Sequence, residues 1–328
     1  MGEFELIARH FKRQNRRASL GVGDDCALIT PRAGHQWAIS TDLLIAGQHF
    51  FNDVDPVTLG HKALAVNLSD LAACAAEPVA FTLALALPDA DHAWLSLFAK
   101  GMFALADAHG CELIGGDTSR GALSICITVF GEIPLHHQTS GALLRSGART
   151  GDDLYVSGHL GDARLALLTL QGRMQLPADA LAWARRRLES PEPRVGLGLR
   201  LRGLASAAID LSDGLIGDLG HVLESSGVGA VVMTDALRQT ISTRQIFPDL
   251  GLSEEQWTEL ALTGGDDYEL LFTAAPAHRQ AIEAAARDCQ TPVKRIGQIR
   301  AAPGLLILEA DGKTMVPARN SFDHFASA

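Results

Sequence analysis

Aspartates recur beside glycine or serine at the ends of apolar runs, at six places along the chain. Gly21-Val-Gly-Asp-Asp25 precedes the run Cys26–Ile29, and Ser40-Thr41-Asp42 follows Trp37–Ile39. Asn67-Leu-Ser-Asp70 lies within or at the end of a predicted helix. Gly115-Gly116-Asp117-Thr118 ends the run Cys111–Ile114. In the second half, Asp210-Leu-Ser212-Asp213-Gly214 joins a predicted strand to a predicted helix, and Gly264-Gly-Asp266-Asp267-Tyr-Glu269 precedes another strand. Carboxylates at strand ends sit on rigid scaffold, so several can converge. Two like charges about 4 Å apart repel by roughly 4 kcal/mol at an effective dielectric of 20, so such a cluster requires cations. Hard divalent ions with oxygen ligands, Mg²⁺ above all, suit it. Ser40, Thr41 and Thr118 add neutral oxygen donors, and the glycines let backbone N–H groups approach phosphate oxygens. Aspartate also caps helices and forms turns, which is the plain reading of any one of these motifs. Six of them, several within apolar stretches, favour chemistry.

Other nucleotide and metal signatures are absent. The P-loop pattern does not occur. His-Arg-Asp and Asp-Phe-Gly are missing, as is Gly-x-Gly-x-x-Gly. An EF-hand beginning at Asp210 would need glycine at its sixth position and Glu at its twelfth; Gly214 is fifth and His221 is twelfth. No His-Glu-x-x-His is present, and His136-His137 reads as solvated linker.

The elements that must position these residues alternate between strand and helix. Residues 3–12 read as a short helix, 37–45 as a strand, and Asp55-Pro56 as a helix start. Val79–Leu87, bounded by Pro78 and Pro88, reads as a buried strand, 91–109 as a helix, and 111–114 and 122–130 as strands. Residues 133–151, rich in Pro, His, Ser and Gly, read as a linker. The second half shows strands at 154–157, 207–211, 229–233, 268–273, 293–299 and 304–309, with a helix opening at Ser212 or Asp213. This implies an α/β protein in layers, mixed sheets covered by helices, in two domains, 1–140 and 141–328.

Bulk properties bound the partners. Net charge is −10, with only five lysines, which argues against nucleic acid. An acidic chain can still hold an anionic nucleotide when metal ions lie between them. Apolar runs such as 79–87 are too short to span a membrane, and the acidic N-terminus does not read as a secretory signal. Five scattered cysteines without a C-x-x-C pair fit a reducing cytoplasm better than a disulfide framework, and each reads as a small buried hydrophobe. The four tryptophans read as core.

In order along nearly the whole chain, Gly-Val-Gly-Asp-Asp-Cys-Ala-Leu, Ile-Ser-Thr-Asp, Gly47-Gln-His-Phe50, Lys62-Ala-Leu-Ala-Val-Asn-Leu-Ser-Asp, Leu-Ile-Gly-Gly-Asp-Thr, Arg145-Ser-Gly-Ala, Ile-Asp-Leu-Ser-Asp-Gly-Leu, Gly-Gly-Asp-Asp-Tyr-Glu-Leu and Phe322-Asp-His-Phe325 resemble the bacterial thiamine-monophosphate kinase family. The resemblance implies an aminoimidazole ribonucleotide synthetase-like fold whose N-terminal domain dimerises. It implies a cytoplasmic homodimer that uses ATP and several Mg²⁺ ions to convert thiamine monophosphate to thiamine diphosphate, the last step in making that product. By position it implies Asp25, Ser40, Thr41, Asp42, Asp70, Asp117, Asp210 and Asp213 as magnesium ligands. Gly116, Asp117, Arg145 and Ser212 are implied as ATP contacts, and His49, Asp266 and Phe322 as substrate contacts. Asp266 stands where the family often has glutamate, one methylene longer. Phe322 stands where an aromatic with a polar tip is common, so stacking is kept and a hydrogen bond lost. The acceptor would be a phosphate whose second pKa is near 6, hence largely anionic at neutral pH, so no general base or catalytic side chain is expected. Rival readings are a selenophosphate or aminoimidazole ribonucleotide synthetase, a metal-dependent phosphohydrolase, and a non-enzymatic metal-binding protein. The first lacks its reactive cysteine in a glycine-rich N-terminal segment, and the last would be favoured by a missing aspartate; none is missing.

Overall fold

Asp55 followed by Pro56 starts the first long helix. The Asp55 carboxylate accepts from the N–H groups of Val57 (2.9 Å) and Thr58 (3.1 Å), and Pro56 sits where no donor is needed. Asp91 opens the next helix in the same way, accepting from Ala93 and Trp94. The computed structural model describes residues 3–136 and 139–317. They divide into two compact units: Met1–Leu71 with Ala76–Gly141, and Ala72–Ala75 with Ala142–Ala328.

The first unit runs α1 (Glu3–His10), β1 (Ala18–Leu20), β2 (Leu28–Ile29), β3 (His35–Ile45), α2 (Pro56–Ala73), β4 (Glu77–Leu87), α3 (His92–His109), β5 (Glu112–Arg120), β6 (Ser124–His136) and β7 (Thr139–Ser140). Its main sheet has the order β3-β6-β4-β5, with β4 and β5 parallel and the other pairs antiparallel. The pleat sorts side chains by parity. Along β3, Ser40, Asp42 and Leu44 face inward, while Ile39, Thr41, Leu43 and Ile45 are exposed. The inward face continues through Ile125, Ile127 and Val129 of β6 and Phe81, Leu83 and Leu85 of β4, all buried, as are Leu64, Leu68 and Leu71 of α2 and Leu95, Phe98 and Met102 of α3. The β1–β2 hairpin packs on Ala80, Trp37 and Phe130, at one end of the opposite face.

The second unit runs β8 (Asp153–Ser157), α4 (Asp162–Leu170), α5 (Ala178–Glu189), α6 (Val195–Arg200), β9 (Ala205–Asp210), α7 (Leu215–Ser226), β10 (Gly229–Met233), α8 (Thr234–Arg238), α9 (Ser242–Ile246), α10 (Glu254–Thr263), β11 (Leu270–Ala274), α11 (Arg279–Asp288), β12 (Val293–Arg300), β13 (Gly304–Leu308) and β14 (Thr314–Met315). Its mixed sheet has the order β14-β13-β10-β12-β8-β11-β9. The central strands β8 and β11 are buried at every position, as expected of a sheet covered on both faces. The end of β9, the end of β8 and the start of β11 lie side by side, because β11 runs antiparallel to both.

Several strands run beyond the sequence reading: β4 begins at Glu77 and includes Pro78, and β7 lies within the stretch read as linker. β5 continues to Arg120, and β6 continues to His136 into the stretch expected to be linker. Their partners supply the reason: β4 pairs with β5 as far as Leu87↔Arg120, β3 pairs with β6 from Ile45↔Ser124 to His35↔Pro134, and β7 pairs with Leu135 and His136. Glu132, fully buried on that extension, accepts from Arg17 Nη2 and the Arg32 N–H and is ion-paired to Arg32 Nε. His136 is therefore a strand residue, and His137 lies outside the described residues. Among the described residues no helix is long and apolar enough to cross a membrane.

Candidate active site

In the first unit, α2 lies against the inward face of β3 through polar contacts. Ser40 Oγ donates to Asp70 Oδ2 at 2.5 Å. The Asp42 N–H donates to Asn67 Oδ1 at 3.1 Å, and Asn67 Nδ2 is held by the Ala63 carbonyl at 3.0 Å. Asn67 is buried and three residues before Asp70, so both project from one side of the helix. Ser40, Asp42 and Asp70 are thus brought together and half-buried. Gly116 of β5 pairs with Leu83 on the same side of the sheet. Its φ is 144°, and a Cβ there would stand 1.8 Å from the Leu83 carbonyl oxygen, so only glycine fits.

Thr41 and Asp117 sit on the other face of this sheet. Thr41 Oγ1 shares a hydrogen bond with Thr128 Oγ1 at 2.8 Å. Asp117 pairs with Ala84 and accepts from Ser119 Oγ at 3.0 Å. Asp25 is exposed in the turn between β1 and β2, its N–H donating to Asp24 Oδ1. His49 is half-buried just after β3; its Nδ1 accepts from the Ile45 N–H at 3.0 Å, which leaves the proton of a neutral ring on Nε2.

In the second unit three loops meet at one end of the sheet. Asp210 ends β9, and Leu211 to Gly214 turn into α7. The segment 264–269 runs alongside: the Leu211 N–H donates to the Glu269 carbonyl, the Tyr268 N–H to the Leu211 carbonyl, and the Asp266 N–H to the Ser212 carbonyl. A Cβ on Gly265 would lie 2.5 Å from the Ser212 oxygen, so glycine permits this approach. Asp266 and Tyr268 hold φ of 65° and 48°, a region side chains visit at a cost of about 1–3 kcal/mol and one enriched at functional sites. Arg145 is exposed, and its carbonyl accepts from Ser226 Oγ.

Buried groups hold these loops. Asp218, in the first turn of α7, accepts from the Asp213 and Gly214 N–H groups. Burial, reinforced by the Asp213 charge, pushes its carboxyl up to about 7. Asp267 accepts from the Gly161 N–H at the start of α4, and burial holds its carboxyl well above the usual range. Glu269, 3% exposed, receives both Arg194 Nε and Nη2 at 2.6 Å and Ser157 Oγ at 2.6 Å. Burial opposes the Arg194 charge, and the facing Glu269 and Glu192 carboxylates more than offset it, leaving the guanidinium above its usual range. Asn67, Asp218, Asp267 and Glu269 lie inside the motifs or next to them, yet nothing in the sequence separates the ones that hold a loop from the ones that face it.

Magnesium is tested by its donors. Among the described residues no three His, Cys, Asp or Glu side chains are grouped to hold one ion. The sets present are oxygen-only pairs: Ser40 with Asp70, beside Asp42, and Asp210 at the end of β9 with Asp213 in the turn that follows it. Mg²⁺ is ordinarily held by one or two carboxylates with waters and substrate phosphates completing the octahedron, so these pairs fit it in the presence of a nucleotide. Phe322 lies outside the described residues.

The chain matches two family models: AIR synthase related protein, N-terminal domain, over residues 23–133, and the C-terminal domain of the same family over 149–307. It is 45% identical to the thiamine-monophosphate kinase of Salmonella typhimurium over 331 residues, covering 99% of each chain. The crystal structure of a thiamine-monophosphate kinase from Stenotrophomonas maltophilia K279a is 44% identical and superposes with a TM-score of 0.82 over 95% of this chain and 96% of that one. AaThiL complexed with AMPPCP and TMP is 26% identical, with a TM-score of 0.76 over 90% and 89% of the two chains.

Proposed function

The chain belongs to the AIR synthase-related family, and to the thiamine-monophosphate kinases within it, and we infer from this that it transfers the γ-phosphoryl group of ATP to thiamine monophosphate. The products are thiamine diphosphate and ADP, so the reaction completes the making of thiamine diphosphate. The observation that carries this reading is identity of 45% over the full length of a thiamine-monophosphate kinase, with every aspartate motif present. A neighbour of the same fold binds an ATP analogue and TMP together.

An oxygen of the acceptor phosphate attacks the γ-phosphorus as the bond to the β,γ-bridging oxygen breaks, in line. That acceptor is anionic at neutral pH, so no side chain need remove a proton. When bound, Mg²⁺ neutralises the charge gathered on the two phosphate groups and orients them. Asp42, Asp70 and Ser40 would hold it in the first unit, with Asp25, Thr41 and Asp117 as further ligands of that unit. Asp210 and Asp213 would be the ligands that the second unit supplies. Thr41 and Asp117, on the opposite sheet face, would take part through the Thr41 carbonyl or through phosphate and water rather than in one cage with Asp42. Gly116 and Asp117 would contact ATP from β5, Ser212 through its hydroxyl and Arg145 through its planar fork. His49, Asp266 and Phe322 contact thiamine monophosphate.

Incubation with ATP and Mg²⁺ should yield thiamine diphosphate from thiamine monophosphate and none from thiamine. Free phosphate released from ATP at an equal rate without acceptor would instead support a phosphohydrolase. His49, its ring oriented by the Ile45 N–H at Nδ1, would contact the substrate phosphate. His49→Ala should raise the KM for thiamine monophosphate about tenfold, the effect of losing one hydrogen bond to a charged group. A change in the KM for ATP alone would contradict the assignment.

The chain acts as a homodimer through the exposed face of β3. Ile39 is 60% exposed, Leu43 49% and Ile45 37%, in a row on one strand beside half-buried Phe130 and Cys126. The row is interrupted only by the Thr41–Thr128 pair, and apolar surface of this kind on a sheet face calls for a partner, which a second copy of the chain would supply. Leu43→Glu should sediment as a monomer, whereas an unchanged dimer would place the interface elsewhere.

A further inference from the structure

We propose that Asp218 is a positioning residue that holds the turn Leu211–Gly214 in the shape its ligand-bearing side chains need. This rests on the reading of Asp210, Ser212 and Asp213 given above. Asp218 stands in the first turn of α7 and is 3% exposed. Its Oδ2 accepts from the Asp213 N–H at 3.2 Å and from the Gly214 N–H at 3.1 Å. The turn lies between the end of β9 at Asp210 and the start of α7 at Leu215, so neither ladder nor helix satisfies these donors. The other side of the turn is already fixed, since the Leu211 and Ser212 carbonyls are taken by Tyr268 and Asp266. Its backbone is therefore pinned on one side by carbonyls given to the 264–269 segment and on the other by N–H groups given to Asp218. Freeing the second side would let the Asp213 and Ser212 side chains turn away from a phosphate while β9 and β11 stay paired.

A purely structural alternative is that Asp218 only complements the α7 dipole. Under that alternative the negative charge matters. Under the positioning account the acceptor oxygen matters, and Asn supplies one. The test measures amide hydrogen exchange in full-length Asp218→Ala and Asp218→Asn, together with the affinity of each for AMPPCP with Mg²⁺. Asp218→Ala should speed exchange at Asp213 and Gly214 by about tenfold, the factor for a buried donor left without its acceptor, with β11 amides unchanged. It should weaken AMPPCP binding by a similar factor. Asp218→Asn should stay within about threefold of the parent in both. Unchanged exchange in Asp218→Ala, faster exchange with unchanged AMPPCP affinity, or an Asn variant as impaired as the Ala variant would each overturn the proposal. If Asp218→Ala is insoluble, Asp218→Glu replaces it. Glu moves the acceptor by one methylene and should shift exchange and affinity in the same direction; parent values would again overturn the proposal. Asp210→Asn and Asp213→Asn are controls. Full AMPPCP affinity in both would remove the ligand reading while leaving the exchange result on the turn to stand by itself.

Discussion

Asp70→Asn and Asp42→Asn are each expected to lower kcat by roughly 100- to 1000-fold, the scale of losing one preorganised electrostatic group in a closed site. The unfolding midpoint should move by only a few degrees. Asp70 is half-buried and accepts from Ser40 Oγ, a bond that an amide oxygen can keep. What asparagine cannot supply is the charge that offsets a divalent ion between two polyanions. Asp42 is the sharper case. Its backbone N–H, not its carboxylate, makes the contact to Asn67, so the exchange leaves that tie between β3 and α2 in place. Both variants should need more Mg²⁺ for half-maximal rate. Parent-like turnover at saturating Mg²⁺ in either would remove that residue from the ligand set.

Arg194→Met is expected to cost the second unit about 3–5 kcal/mol, because it strands the Glu269 carboxylate in the interior. Arg194 and Glu269 are 9% and 3% exposed, and two bonds of 2.6 Å join them. A domain of this size loses about 2–4 °C in Tm per kcal/mol, so a fall of roughly 6–20 °C should follow. Trp183 and Trp257 report on this unit and Trp37 and Trp94 on the first, so fluorescence can assign the transition that moves. Replacing the pair together, Arg194→Met with Glu269→Leu, should recover much of the loss, since two apolar groups leave no buried charge. A double variant no more stable than the single one would show that the pair does more than neutralise itself. Glu269 also anchors the start of β11 beside Asp266, so the single variant should weaken thiamine monophosphate binding as well.

The reach of the sequence differs between these residues for physical reasons. Asp55-Pro56 and Asp91 mark helix starts by local chemistry alone, and the helices begin there. Ser253 with Gln256 forms a capping box of equal clarity before α10, a signal the helix reading did not use. The eleven-residue β3–β6 ladder is different. Ile133 and Pro134 look like linker until β3 is laid beside them, and strand pairing across some ninety residues is not a local property. The sequence reading places Asp42 and Asp117 at strand ends, whereas they lie inside β3 and β5; parity along β3 is what puts Ser40 and Asp42 on one side, facing Asp70 of α2. The same parity places Thr41 on the other, which the motif Ser-Thr-Asp conceals when read as a unit. Asp218, Asp267 and Glu269 show the opposite limit. All are acids near glycines, as the proposed ligands are, and only burial and partners separate those that brace a loop from those that face a substrate.

Carboxylates gathered by the pleat and by three loops act, on this account, through divalent ions rather than through proton transfer. ADP release in the presence of thiamine monophosphate, followed while Mg²⁺ is removed by a chelator and then restored, tests this most directly. The account predicts that release stops on removal, returns on restoration, and shows little dependence on pH above the acceptor's second pKa near 6. Sustained ADP release without any divalent ion would contradict it.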